Sequence, residues 1–477
     1  MKKICINIES EYKGFLLKLA ERLQKQNDIK IITTKSQIID KLKNKNYFKK
    51  YVLLKNRNFL EISEKDLLEK CKKIEKNFNF TFSDLITRYR DLGQSYLFNV
   101  DKAPKIKKSK INYKLKLNYV FNHFVQLENA IKNYDILIKI KPDYLSYLIS
   151  KKYRIKYLNI SAARYGNRFF WNDNFFIESN KFIKNISNNL KNINNIDLSN
   201  VDQLNLKSHQ FSKKLIKVDD IKLITTLKKY FIIIINNFKK LIRLNYDFNS
   251  YSFFSWPNSE IVKYLNFKFL NKISKDKNFL ITNKYVYFPL HLEPEIALLE
   301  QGSYLNNSLE IISWISKTLP VDVALVIKEN PLSLSVRSKD YYKKINSLNN
   351  VYLADLKIDG NFLIQNSLCV ANILGTTGYE TINNLKPLLL FNKFSILNRF
   401  STVFNCDSFH TTKNAINFIL ENKIEKNSFL VSKKILIESQ INSSFELNNF
   451  EKYIGSYDCS EEILDKSIYH LNEIINE

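Results

Sequence analysis

Two parts of this chain alternate short apolar runs with helically spaced apolar residues, and that alternation limits the fold most. Near the start, Lys3–Ile8 reads as a strand. Glu11–Gln26 then carries Phe15, Leu16, Leu19, Ala20 and Leu23 at helical spacing, and Asp28–Thr33 reads as a second strand. A β-α-β opening of this kind starts a parallel sheet with helices on its faces. Further strands are expected at Tyr134–Ile140 and Tyr153–Ile160, with a helix beginning at Pro142 between them. The segment 161–174 reads as a loop leaving the last of these strands.

A second run of the same kind begins at Lys284. Strands are expected at Tyr285–Leu290, Asp322–Lys328, Val351–Leu353, Leu368–Leu374 and Pro387–Phe391. Helical stretches fall between them at Asn307–Lys317, Tyr341–Leu348, Phe362–Asn366 and Tyr379–Asn384. Between the two runs the texture changes to Asn, Lys and Ile, read as a helical connector whose 185–200 stretch is a loop. The expectation is an α/β protein with two Rossmann-like domains and a cleft between them. An N-terminal domain spans 1–181, a connector 182–280, a second Rossmann-like domain 281–425, and a tail with one helix 426–477. Such a tail helix is expected to pack back on the first domain.

The chain has 477 residues, and at roughly 150 residues per domain that suggests two or three domains. The longest apolar run, Tyr230–Ile235, meets Asn236, Asn237, Lys239 and Lys240, which excludes a membrane-spanning helix. The opening MKKICINIES lacks a continuous apolar stretch and a cleavage site, so a secretory signal is not expected. The five cysteines are scattered, without a CxxC pair, and no HExxH occurs. The expectations are a cytoplasmic location, no metal and no bound cofactor. The net charge of +27 is mostly lysine in Lys/Asn/Ile-rich sequence. Part of it reads as compositional bias, and part as attraction to an anionic membrane surface or substrate. No RNP, zinc-finger or helix-turn-helix pattern supports a nucleic-acid partner.

Four segments carry residue types suited to chemistry. In ILGTTGYE a strand ends and Gly375, Thr376, Thr377 and Gly378 lead into a helix, where free N–H groups and the helix dipole favour phosphate. Glu380 follows in the first turn, placed to accept hydrogen bonds from ribose hydroxyls. In VIKENP, Lys328 can neutralise phosphate, and Asn330 can donate to phosphate or base; Arg337 follows. In YFPLHLEPE, His291, Glu293 and Glu295 at a strand's end are candidates for general acid/base catalysis. In ARYGNR, Arg164, Asn167 and Arg168, with aromatic neighbours, suit an anionic sugar or lipid-linked acceptor.

The ordered set FPLHLEPE, KENP, GTTGYE and Lys386-Pro387 resembles the capsule polysaccharide biosynthesis and export family, which includes the capsular 3-deoxy-manno-octulosonic acid (Kdo) transferases. The resemblance covers about 284–400 and, more weakly, 134–174. It implies a GT-B fold and transfer of a sugar, in several members Kdo from its CMP-activated form, to a glycan or glycolipid acceptor. It also implies other capsule assembly proteins as partners. By that resemblance Lys328, Asn330, Pro331, Thr376, Thr377 and Glu380 would hold the nucleotide. His291, Glu293 and Glu295 would lie near the reacting sugar. The family's His-Pro pair is Asn330-Pro331 here, and asparagine carries neither charge nor proton. Two rival readings are a non-catalytic scaffold member and another GT-B-like enzyme, such as a nucleotide-sugar epimerase or polyol-phosphate transferase.

Overall fold

The computed structural model describes residues 1–9, 11–45, 48, 50–55, 60–89, 113–176, 179–193, 196–204, 218–242, 253–292, 296–302, 305, 307–335 and 337–476. Its first sheet contains β1 (Lys3–Asn7), β2 (Asp28–Thr33), β3 (Tyr51–Leu53), β4 (Ile136–Lys139), β5 (Lys156–Ala162) and β6 (Arg168–Asn172). Its second contains β7 (Lys284–Pro289), β8 (Val323–Lys328), β9 (Val351–Leu353), β10 (Cys369–Asn372), β11 (Leu388–Leu390) and β12 (Val403–Asn405). A short β13 (Phe445–Glu446) returns to the first sheet.

The strand orders are β13-β6-β5-β4-β1-β2-β3 and β12-β11-β10-β7-β8-β9. Counted from its own first strand, each sheet therefore runs 3-2-1-4-5-6, the Rossmann order, with β13 added beyond β6 in the first. All pairs are parallel except β5 with β6 and β6 with β13. The architecture is α/β, two Rossmann-like units facing across a cleft in the GT-B manner.

Helices cover both faces of each sheet, so alternate residues of one strand enter different cores. Val286 and Phe288 of β7 pack with Leu325 and Ile327 of β8 on one face. Tyr285 and Tyr287 pack with Ala324 and Val326 on the other. A strand buried on both faces reads as a continuous apolar run, which is why these strands were legible. Truncating a buried ring such as Phe288 costs about 3–5 kcal/mol.

Several segments differ from expectation, the tail among them: two helices, Lys426–Ser443 and Glu461–Asn476, stand where one was expected. Five residues of 161–174, Arg168–Asn172, form strand β6, because RFFWN alternates. Phe169 and Trp171 enter the first unit's core, while Phe170 stacks on Phe182, ring centroids 6.0 Å apart. The first part of the Asn-rich stretch expected as a loop, 185–191, is instead the end of helix Asn180–Lys191. Ser179 caps it by accepting from Phe182 N, and Phe182 and Ile186 are buried with β7 residues. Asparagine is a weak helix former in isolation, and the packed apolar face overrides it.

The tail crosses between the units. Helix Lys426–Ser443 packs against helix Asn180–Lys191. Helix Glu461–Asn476 returns to the first unit, where Arg22 pairs with Glu461 at 2.5 Å and Trp171 Nε1 donates to Ser467 O at 2.9 Å.

Candidate functional site

In an open α/β sheet ligands bind beyond the C-terminal strand ends, where the strand order reverses. In the second unit that point lies between β7 and β10. β7 runs into Leu290, whose N–H donates to Lys328 O at 2.8 Å, and then into His291. The His291 ring turns back onto β10: Nε2 accepts from Ile373 N at 3.3 Å, beside Asn372. Its carbonyl accepts from Arg337 Nη2 at 2.6 Å. Burial first, and the Arg337 charge second, push the imidazole down to about 4. His291 is therefore neutral at pH 7, with Nε2 already engaged.

KENP divides between the two faces. Lys328 reaches the Ile358 carbonyl, beside Asp359 and Asp355; burial pulls its ammonium below the usual lysine range. Glu329 turns the other way and pairs with Arg337 Nε at 2.7 Å, with both side chains essentially without solvent contact. Tyr342 OH donates to the same carboxylate at 2.7 Å, and Asn330 N donates at 2.6 Å. Asn330 Oδ1 accepts from Leu332 N at 3.0 Å, so the asparagine caps the short turn Pro331–Ser335. Its side-chain oxygen is engaged locally.

GTTGYE is the open part of this edge. Gly375 has φ +101° and ψ −168°, a region that in practice only glycine occupies, and a Cβ there would meet nothing within 4 Å. Helix Thr376–Asn383 follows with Gly375 as its N-cap and no capping side chain, leaving first-turn N–H groups for solvent or an anion. Gly378 serves packing: a Cβ there would lie 2.9 Å from Leu397 Cδ1. Glu380 is mostly buried and accepts from Thr376; burial raises its carboxyl, opposed by Thr376 and by Arg164 across the cleft.

The units meet over this turn. A pocket of about 60 Å³ is lined by Ala162, Arg164 and Phe170 from the first unit and Asn372, Gly375 and Tyr379 from the second. Phe176 and Phe394 stack across its rim, centroids 4.9 Å apart. Ligand pockets usually hold about 300–1,000 Å³, so a nucleotide sugar enters only if the units open.

Of the arginine loop, only Arg164 reaches the pocket, from a left-handed backbone at φ 61°. Arg168 holds the tail: Nε donates to Ser444 Oγ at 2.8 Å, Nη1 pairs with Glu446 at 3.2 Å, and Nη2 donates to the Ile441 and Ser444 carbonyls. Asn167 gives its carbonyl to Leu447 N at 3.0 Å. Glu293 and Glu295 lie outside the described residues.

A second cluster went unread in the sequence. At the ends of β1 and β4, buried Lys139 contacts Asp143 and lies 3.6 Å from Glu9. Glu300, from helix Ile296–Gln301 of the second unit, accepts from Tyr144 N at 3.0 Å. Arg88 Nη1 donates to the Glu300 carbonyl at 2.6 Å. Burial, then the Asp143 charge, raise the Glu300 carboxyl to about 8. His123 Nδ1 bonds Tyr89 OH at 2.6 Å, and burial pushes its ring down to about 4. The one sequence signal was a lysine inside the apolar strand ILIK. Among the described residues no group of three or more His, Cys, Asp or Glu could hold a metal.

No protein-family description matches the sequence, and no curated protein matches it. Solved structures do. A glycosyltransferase from Rickettsia africae is 12% identical, covering 99% of this chain and 98% of its own, with a TM-score of 0.30. The UDP-GlcNAc 2-epimerase of Methanocaldococcus jannaschii, in complex with UDP-GlcNAc and UDP, is 10% identical over 91% of this chain and 97% of its own, TM-score 0.29. That of Neisseria meningitidis, bound to UDP-GlcNAc, is 12% identical over 93% and 100%, TM-score 0.27. At such scores the likeness assigns neither activity nor residue.

Proposed function

We propose that this chain is a GT-B-type enzyme acting on a nucleotide-activated sugar. In the finer reading it is a glycosyltransferase of surface, capsular polysaccharide assembly, with CMP-Kdo as a candidate donor. One observation carries the first statement. At the facing strand ends, the uncapped helix start at Gly375–Thr377 meets Arg164 from the opposite unit. Backbone N–H groups, a helix dipole and a guanidinium converge there, the chemistry that holds a phosphate.

In this reading Gly375, Thr376, Thr377 and Gly378 cradle the donor phosphates, and Arg164 closes on them from across the cleft. Glu380 takes ribose hydroxyls once Thr376 releases it. Lys328 adds positive charge from beside Asp359 without touching the donor. Asn330 and Pro331 shape the turn that holds Glu329 and Arg337, and these in turn hold His291. His291 is then a positioning residue, and Glu293 or Glu295 is the carboxylate for acid/base work. Closure of Phe176 on Phe394 excludes water from the activated sugar.

Calorimetry of the full chain with CMP, UDP and GDP tests the assignment, repeated with Thr376→Val and Arg164→Ala. One nucleotide should bind, and each variant should weaken it about tenfold. Binding of none, or wild-type affinity in both variants, would sink the phosphate assignment. A second reading is an epimerase, which needs no acceptor. It is favoured by the engagement of Asn167 and Arg168 with the tail rather than the cleft. Conversion of the sugar with no acceptor present would decide for it.

A further inference from the structure

Helix Leu223–Ile242 is apolar on its outer as well as its inner face. Its inner face, against helix Ser255–Ile273, buries Thr226 and Asn237, and Asn237 Nδ2 donates to Phe253 O at 2.8 Å. Its outer face presents Ile224, Leu227, Phe231, Ile235, Phe238 and Ile242. Their steps of three and four residues keep one stripe in line for the helix's whole length. Their exposures are 80, 42, 58, 52, 51 and 79%. Phe254 and Trp256, 51 and 42% exposed, extend the apolar surface at the turn of the hairpin. An apolar patch of this extent marks a contact site.

Charge selects the occupant. The helix contains Lys228, Lys229, Lys239 and Lys240, all exposed, with Lys222 just before it, and no Asp or Glu. By helical angle Lys228 and Lys239 border the stripe on one side, as they would beside a buried apolar face at a headgroup layer. A second copy of the chain would bring these lysines against one another. An anionic bilayer surface pairs with them and takes up the stripe together. Among the described residues no helix is long and apolar enough to cross a membrane, so such a helix lies along the surface rather than through it.

We infer that helix Leu223–Ile242 docks the protein, apolar stripe downward, on an anionic phospholipid membrane. The contact is independent of the cleft: the hairpin packs on the second unit behind Pro331–Ser335, where Asn266 Nδ2 donates to the Leu334 and Arg337 carbonyls.

Co-sedimentation of the full chain with phosphatidylcholine vesicles, with and without phosphatidylglycerol, tests this at low and high salt. The protein should pellet with the anionic vesicles and remain largely free with the neutral ones. Phe231→Asn with Ile235→Asn should weaken binding more than about tenfold at either salt. Lys228→Gln with Lys239→Gln should do so at low salt, with a much smaller change at high salt. All four positions are exposed, so the thermal midpoint should hold, and Ile224→Asn with Ile242→Asn repeats the test if the first pair does not fold. Wild-type protein that stays in the supernatant with anionic vesicles overturns the proposal. So do apolar-stripe variants that pellet like wild type. A lipid-free dimer in sedimentation velocity that Phe231→Asn with Ile235→Asn converts to monomer also overturns it, and makes the stripe an interface between copies.

Discussion

At the C-terminal edge of the first sheet, Lys139 lies between Asp143 and Glu9, and Glu300 reaches in from the other unit. At the same edge of the second sheet, the strand after the order reverses ends instead in an uncapped glycine turn. One edge meets charge with charge; the other leaves backbone donors facing a pocket. The second sheet does contain a charged pair, Glu329 with Arg337, but it is sealed behind the edge and anchors His291. A site for an anion needs donors not already neutralised by the protein, and of the two edges compared, among the described residues, the Gly375 turn leaves such donors. The difference teaches that charge near a strand end is a poor locator of an anion site; the partners of that charge decide.

The largest expected effect tests the sealed pair. Arg337→Met leaves Glu329 buried without its cation and should cost about 3–5 kcal/mol in denaturant unfolding. Adding Glu329→Gln should recover much of that loss; if it does not, the pair is not what Arg337 stabilises. The equivalent change at the first edge, Lys139→Met, should cost less, about 2 kcal/mol, because Asp143 and Glu9 retain solvent. Equal losses at the two edges would erase the contrast. Gly375→Ala forces a side chain into a glycine-only backbone region at about 1–3 kcal/mol and should also weaken nucleotide binding. Lost stability with unchanged affinity would detach the turn from the ligand.

A further effect separates the edges by pH. The Glu300 carboxyl, raised from 4.5 to about 8, keeps its proton in the fold where the unfolded chain has lost it. Its contribution is complete below 4.5 and is lost as pH rises toward about 8. Glu300→Gln should flatten that limb of thermal midpoint against pH; parallel curves would remove Glu300 from the interface. His291 and His123, lowered from 6.5 to about 4, act in the opposite sense: their contribution is complete above 6.5 and is lost as pH falls toward about 4. His291→Gln should shrink the acid limb, as His123→Gln should at the other edge.

Much of the scaffold was legible in the residues. Strands such as VALVIK and KYVYFP are apolar on both faces because helices cover both faces, and that pattern is local. The glycine turn was legible too, since Gly375 and Gly378 directly after an apolar strand leave few alternatives. The strand in RFFWN was missed because its aromatic run read as a loop; its hairpin partner β5 is close in sequence, and only β13 lies far along the chain. The helix Asn180–Lys191 was missed because propensity speaks against it and packing for it.

What the sequence by itself determined is most of the order of strands and helices, the two α/β units, and the glycine turn after β10. Each of these rests on local periodicity or on a single residue's conformational range. The tertiary structure alone decided which charges neutralise each other. Lys328 and Glu329 are neighbours in the chain, yet one contacts Ile358 and the other Arg337. Arg164 and Arg168 share one loop, yet one lines the cleft and the other holds the tail. Burial and pairing depend on distances between segments far apart in the chain, and the covalent order of residues does not contain those distances.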